Sequence, residues 1–118
     1  MEKSRSFRDL TVWKLGKDIV IDVCQVTATF PREELYALVA QLRRAAISIP
    51  SNIAEGFNRY HNREYRQLLF VALGSCGELE TQVEVSFDLE YTGQAACERL
   101  LEKLDHEAKM LRNLIKKR

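Results

Sequence analysis

Polar side chains with chemistry to offer crowd into one short stretch. Ser48, Ser51, Asn52 and Glu55 all lie within three residues of Pro50 or five beyond it. Ser48 and Asn52 are four apart, hence on one helix face, beside the Ala46 carbonyl that a proline at position 50 deprives of its donor. A hydroxyl nucleophile there would need a histidine or a perturbed carboxylate as base, and Glu55, the local carboxylate, lies on a different stripe. The cluster reads as side chains satisfying backbone groups around the proline, or as a contact with a subunit or partner. Arg99 and His106 form a second pair, seven residues apart and so close to two helical turns, which lets both face one side. Cys24, Cys76 and Cys97 are widely spaced without CxxC pairing, and the two histidines add little. The cysteines therefore read as small core residues and no metal is expected. No glycine-rich phosphate loop, metal-ligand helix or nucleophile motif occurs, so no cofactor is expected either.

The elements that must position these residues are helices. Val12, Leu15, Ile19, Val23 and Val26 predict a first helix over about residues 10–27, with Asp9 or Thr11 as cap. From Ile19 to Val26 six of eight residues are apolar, and a second stripe holds Trp13, Gly16, Val20 and Cys24. A bundle helix with one side in water does not look like this. Its outer side, with Trp13, Val20, Ile21 and Cys24, is expected to pack on another subunit. Phe30-Pro31 then breaks the pattern, and Glu33-Glu34 suit the start of a second helix over about 33–57. Apolar residues keep phase across Pro50 (Ile49, Ile53, Phe57), which favours a kink over a break. Gly56 and Asn58 read as stop signals.

A third helix over about 62–88 turns Tyr65, Leu69, Ala72, Cys76, Leu79, Val83 and Phe87 inward. Gly74 and Gly77 lie mid-helix, at a cost of about 1 kcal/mol each, for which a close neighbouring helix near Ala45 and Ala46 is the natural compensation. A fourth helix over about 93–116 presents Cys97, Leu100, Leu104, Ala108, Leu111 and Ile115. Short connections make successive helices antiparallel neighbours. The expected fold is all-α, an antiparallel up-down-up-down four-helix bundle in a single domain spanning the 118 residues.

Net charge is +1, so bulk charge gives no reason to expect nucleic acid. Its distribution says more. Residues 74–107 hold nine acids against two bases, net −7, which leaves +8 on the rest. In such a bundle one end gathers the starts of helices 1 and 3 and the ends of helices 2 and 4. That end collects Lys3, Lys14, Arg59, Arg63, Arg66, Lys116 and Lys117. Arg59, Arg63 and Arg66, interleaved with Tyr60 and Tyr65, are the best-ordered part of a phosphate-binding rim. The plainer reading is a solvated bundle end with charges placed for solubility and helix dipoles. No apolar run approaches the ~20 residues that span a bilayer, and the N-terminus lacks the apolar core of a signal peptide. Cytoplasm is the expected compartment.

The stretch QLRRAAISIPSNIAEG (Gln41 to Gly56), with Ser48, Pro50, Asn52, Glu55 and Gly56 at its heart, resembles the signature of a known family. That family is the small four-helix-bundle proteins encoded in intervening sequences of bacterial 23S ribosomal RNA genes. The accessory variability proteins of diversity-generating retroelements look like relatives. The resemblance extends to FRDLTVW at Phe7 to Trp13, to Phe30-Pro31 and to GSCGELE at Gly74 to Glu80, nearly the whole chain. His61 stands where the family usually carries a capping serine, and Asn58 where it usually has glycine. The resemblance implies a bundle without known catalysis, often a homo-oligomeric ring, with about five subunits as the expected count. Arginine, six residues, then histidine also resembles the motif of a class of helical ribonucleases, but Leu100 follows the arginine where that class usually has a polar residue. The expected function is a non-enzymatic, self-associating binding or scaffold protein, with nucleic acid or a nucleic-acid-processing protein as partner. Direct RNA or DNA binding is one alternative, and a ribonuclease using Arg99 and His106 is another.

Overall fold

The computed structural model describes residues 5–118, which leaves Lys3 outside it. Chain order begins with a single 3-10 turn, Phe7–Asp9. The Asp9 carboxylate accepts from the backbone N–H groups of Arg5 and Ser6 at 3.1 and 3.2 Å. Asp9 therefore caps this turn and not the helix behind it. Helix α1 (Thr11–Thr27) starts from Leu10 without a side-chain cap, and Thr11 is already its first residue, so neither expected cap serves.

Helix α2 spans Leu38–Phe57, starting later than its sequence suggests. Glu33 and Glu34 sit in a separate 3-10 turn, Arg32–Glu34. Tyr91 Oη donates to Glu34 Oε2 at 2.9 Å, pinning that turn to the far corner of the bundle. The backbone must then bend again at Ala37 (φ −117°, ψ −101°) before α2 begins. Once started, α2 runs through Pro50 without interruption. Gly56 is no stop signal but a buried helical residue, and Asn58 closes the helix in a right-handed conformation, φ −83°.

Helices α3 (Asn62–Asp88) and α4 (Gln94–Lys116) fall where the periodicity places them. His61 precedes α3 without a side-chain cap bond. At the other end of α3, Tyr91 N–H donates to Ser86 O and Glu90 N–H to Phe87 O, both at 2.9 Å. This is a Schellman closure, and Glu90 takes the left-handed conformation it requires (φ 64°). Phe87, expected inside, is exposed as the helix ends, and Ser86 is buried instead.

Each helix packs on two others around the square: α1 on α2 and α4, α3 on α2 and α4. The contacts run in opposite order along adjoining helices. Arg43 Nε donates to Thr27 Oγ1 at 3.1 Å, whereas Gly16 lies against Ile49 and Pro50. Ser48 meets Ser75, whereas Gly56 lies against Tyr65. Asp22 pairs with Lys103, whereas Thr11 lies beside Met110. The long dimension is 46 Å, in keeping with the ~40 Å that α3 spans at 1.5 Å per residue.

Between the helices lies one apolar core, including Ile19, Leu42, Ile49, Ile53, Leu69, Leu79, Leu104 and Leu111, all essentially inaccessible. Each such side chain contributes roughly 1.5–3 kcal/mol on burial. On α1 the buried line runs between the two expected stripes: Val12, Gly16, Ile19, Val23 and Thr27. Gly16 has no side chain to hold α2 and α4 away, so the second stripe is drawn partly inward. Trp13 and Val20 pack half-buried against the core. Cys24 is exposed, unlike buried Cys76 and Cys97, so only two of the three cysteines are core residues. The expectation for Gly74 and Gly77 is reversed. Both are exposed, and a Cβ on either would meet nothing within 4 Å. The close approaches are at Gly16 and Gly56.

Candidate functional site

The basic end is assembled by contacts between helix termini. Gly56, at the end of α2, lies so close to α3 that an added Cβ would come within 2.9 Å of Tyr65 Cδ1. Arg118 stacks its guanidinium over the same Tyr65 ring at 4.8 Å, bringing the end of α4 to the start of α3. Burial raises the Tyr65 phenol above its ordinary value, and the charge of Arg118 pulls the other way. Arg59, Arg63, Arg66, Lys116 and Lys117 are exposed around this junction, together with Tyr60. They are not equally free. Arg59 is tied to Glu55 at 2.9 Å, and Arg66 lies over the Phe70 ring at 5.7 Å. The opposite end is acidic, because the Tyr91–Glu34 bond brings Glu33 and Glu34 to the α3–α4 corner that carries Asp88 and Glu90.

A second surface lies along α1. Of the four residues expected to meet another subunit, Ile21 is 47% exposed and Cys24 is exposed. Val20 is half-buried, and Trp13 is partly covered by Phe7 at 5.3 Å between ring centroids and by Lys17 at 5.1 Å. The sequence reading omitted Ile47, 51% exposed on α2. The register set by Gly16 against Ile49 and by Thr27 against Arg43 places Ile47 level with Val20 to Cys24. Its signal was present: Ile47 is apolar yet out of phase with Leu42, Ala46, Ile49 and Ile53.

The serine cluster is a tether between helices. Ser75 Oγ donates to Val71 O at 3.1 Å, so the 2.8 Å bond between Ser75 and Ser48 uses the Ser48 proton. Ser48 Oγ in turn accepts from Asn52 Nδ2 at 2.9 Å, and the same amide reaches Ser48 O at 2.7 Å. Each hydroxyl proton has its acceptor, and no base adjoins the chain of bonds. Ser51 is exposed and Glu55 turns to Arg59, so neither joins it. Such a line of bonds fixes the rotation of α2 against α3.

Glu107 was counted in the sequence only as one acid among nine, although Leu104 and Leu111 place it on the buried stripe of α4. It is 0% exposed, and neither carboxyl oxygen has a hydrogen-bond partner. Its Oε2 occupies the space a side chain at position 16 would need, 3.0 Å from where that Cβ would stand. Burial pushes its carboxyl up to about 8 from an ordinary 4.5. Across the core the Cys76 thiol is pushed up to about 12, by burial first and then by the Glu107 and Glu80 carboxyls. Arg99 and His106 are both exposed on α4. His106 borders a shallow cleft with Thr11, Lys14, Asp18 and Met110, which Arg99 does not reach. Among the described residues no group of three or more acidic, histidine or cysteine side chains could hold a metal ion. No described helix is long and apolar enough to cross a membrane.

Four helices around one core, with polar ties between them, define an all-α four-helix-bundle protein. The chain belongs to the 23S rRNA-intervening sequence protein family, whose model matches residues 8–113. Among solved structures it is similar to a protein of unknown function from the S23 ribosomal protein family of Bacteroides thetaiotaomicron. The TM-score is 0.81 over 90% of this chain and 99% of that one, at 19% identity. The likeness at that identity is one of fold. No curated protein matches the chain.

Proposed function

We propose that this protein is a non-enzymatic, self-associating scaffold of the cytoplasm whose basic end meets nucleic acid or a protein that processes it. The observation that carries the reading is the charge polarity along the bundle. Arg63, Lys116 and Lys117 stand exposed and without an ion-pair partner among the described residues, beside exposed Tyr60, while acids gather at the far end. Cations clustered on one rim raise the local concentration of phosphates and speed their capture. Self-association would use the α1 shoulder, Trp13, Val20, Ile21 and Cys24, joined by Ile47, in a ring of about five subunits.

Retention of structured RNA by the purified protein, measured across a salt series, tests the basic end. Affinity should fall steeply with salt, and Arg59→Glu, Arg63→Glu and Arg66→Glu together should abolish it. Binding unchanged by those reversals discards the idea. The direct RNA- or DNA-binding reading makes the same demand without a scaffold role, so retention that survives the loss of self-association in Ile21→Glu favours it. The ribonuclease reading requires cleavage that His106→Ala silences, and no cleavage by the clean wild type ends it.

A further inference from the structure

The outer face of α3 carries a pattern that the bundle itself does not use. Residues three or four apart form one line along a helix. Along one flank of that face run Arg63 and Arg66 near one end, Phe70, the glycines Gly74 and Gly77, then Thr81, and Glu84 and Asp88 near the other, all exposed, with Gln67, Glu78 and Val85 exposed beside them. The line reads alike from both ends with its charges inverted. Arg63 lies as far before the midpoint of the two glycines as Asp88 lies beyond it. Phe70 mirrors Thr81, and Arg66 mirrors Glu84 to within one residue. None of these four charged residues has an ion-pair partner in the chain among the described residues.

We propose that this face is a self-recognition surface, on which α3 of a second copy of this chain lies antiparallel about a two-fold axis between Gly74 and Gly77. Charge complementarity selects both the occupant and its direction. An antiparallel copy sets its acidic end against Arg63 and Arg66 and its basic end against Glu84 and Asp88, whereas a parallel copy opposes like charges at both ends. The middle of the line is suited to contact. A Cβ at Gly74 or Gly77 would meet nothing within 4 Å, so the glycines weaken the helix with no gain inside the chain and leave its backbone open to a second helix. Thr81 Oγ1 already donates to Gly77 O at 3.0 Å, so covering Thr81 strands no hydroxyl proton. The half-exposed Phe70 (49%), with Val71 and Val85 beside the line, supplies apolar surface. Helix α3 is diagonal to α1, so a contact here leaves the α1 shoulder free. Arg63 and Arg66 serve this contact as well as the basic rim, so a second copy and nucleic acid compete for them.

The test is the solution mass of the full chain by light scattering, with circular dichroism as the check on folding. Arg63→Glu with Arg66→Glu makes the line wholly acidic, and Glu84→Arg with Asp88→Arg makes it wholly basic. Each variant alone should show half the mass of the wild type, and an equal mixture of the two should recover it. Gly74→Leu with Gly77→Leu, a wedge without charge change, should also halve the mass. A monomeric wild type, unchanged mass in the charge variants, or a mixture that fails to recover overturns the proposal. Ile21→Glu with Ile47→Glu acts on the α1 shoulder alone, so failure of that contact and failure of the α3 contact give separate signatures.

Discussion

Gly16 and Gly56 lie within helices just as Gly74 and Gly77 do, yet their surroundings are opposite. An added Cβ would meet Glu107 at 3.0 Å in the first case and Tyr65 at 2.9 Å in the second. At Gly74 and Gly77 it would meet nothing within 4 Å. One pair is demanded by the packing of this chain and the other is not. A glycine in a helix does not by itself say whether a neighbour in the same molecule comes close to it.

The largest expected effect comes from the acid that fills the gap at Gly16. Glu107 keeps its proton up to about pH 8 in the folded protein, against an ordinary 4.5. Between those values the unfolded chain releases the proton and the folded chain holds it. The stability that depends on this group is thus complete below pH 4.5 and is lost as pH rises through 8. Glu107→Gln should remove that slope, with a gain at pH 9 of up to about 5 kcal/mol in urea unfolding and little change at pH 4. Equal slopes for variant and wild type would show that the carboxyl is not held neutral. Carbon-13 titration of the glutamate carboxyls should show one resonance moving near pH 8, absent from the variant.

Next in size is the crowded glycine pair itself. Gly56→Ala must displace Tyr65 O, a backbone atom 3.2 Å from the new Cβ, as well as the Tyr65 ring. A loss of about 1–3 kcal/mol is expected in thermal unfolding. Gly16→Ala presses on the tip of a longer side chain and should cost less. At the open pair the sign reverses. Gly74→Ala and Gly77→Ala should each stabilise a dilute chain by about 1 kcal/mol, because alanine is the better helix former. A loss at either open site would place a neighbour against it. A gain of the same order is expected at Glu90, held left-handed at φ 64°. Glu90→Gly should raise stability by about 1 kcal/mol, read as a shift in melting temperature.

Much of the fold was legible because helical periodicity depends on local spacing. The boundaries of α1, α3 and α4 follow from runs such as Leu69, Ala72, Cys76, Leu79 and Val83. The start of α2 was not legible, because no local signal marks the bend at Ala37, and the turn before it is held by a bond from Tyr91 across the molecule to Glu34. The Schellman closure of α3 was hidden by a glutamate where glycine is usual. The same division holds for the candidate site. The basic end could be read once the helices were placed. Its uneven freedom, with Arg59 bound to Glu55 and Arg66 over Phe70, needed side-chain geometry. Glu107 was missed because an acid on an apolar stripe is ordinarily a solvated interruption, and only the gap at Gly16 lets it turn inward.

Trp13 is the chain's single tryptophan, seated on α1 between the Phe7 ring and the Lys17 ammonium. The molecule thereby carries an optical label at one of its two apolar surfaces. Emission from this indole should respond when the shoulder of α1 is covered and stay unchanged when only α3 finds a mate. A dilution series followed by colour and by scattered light at once would then tell which of the two seams opens first.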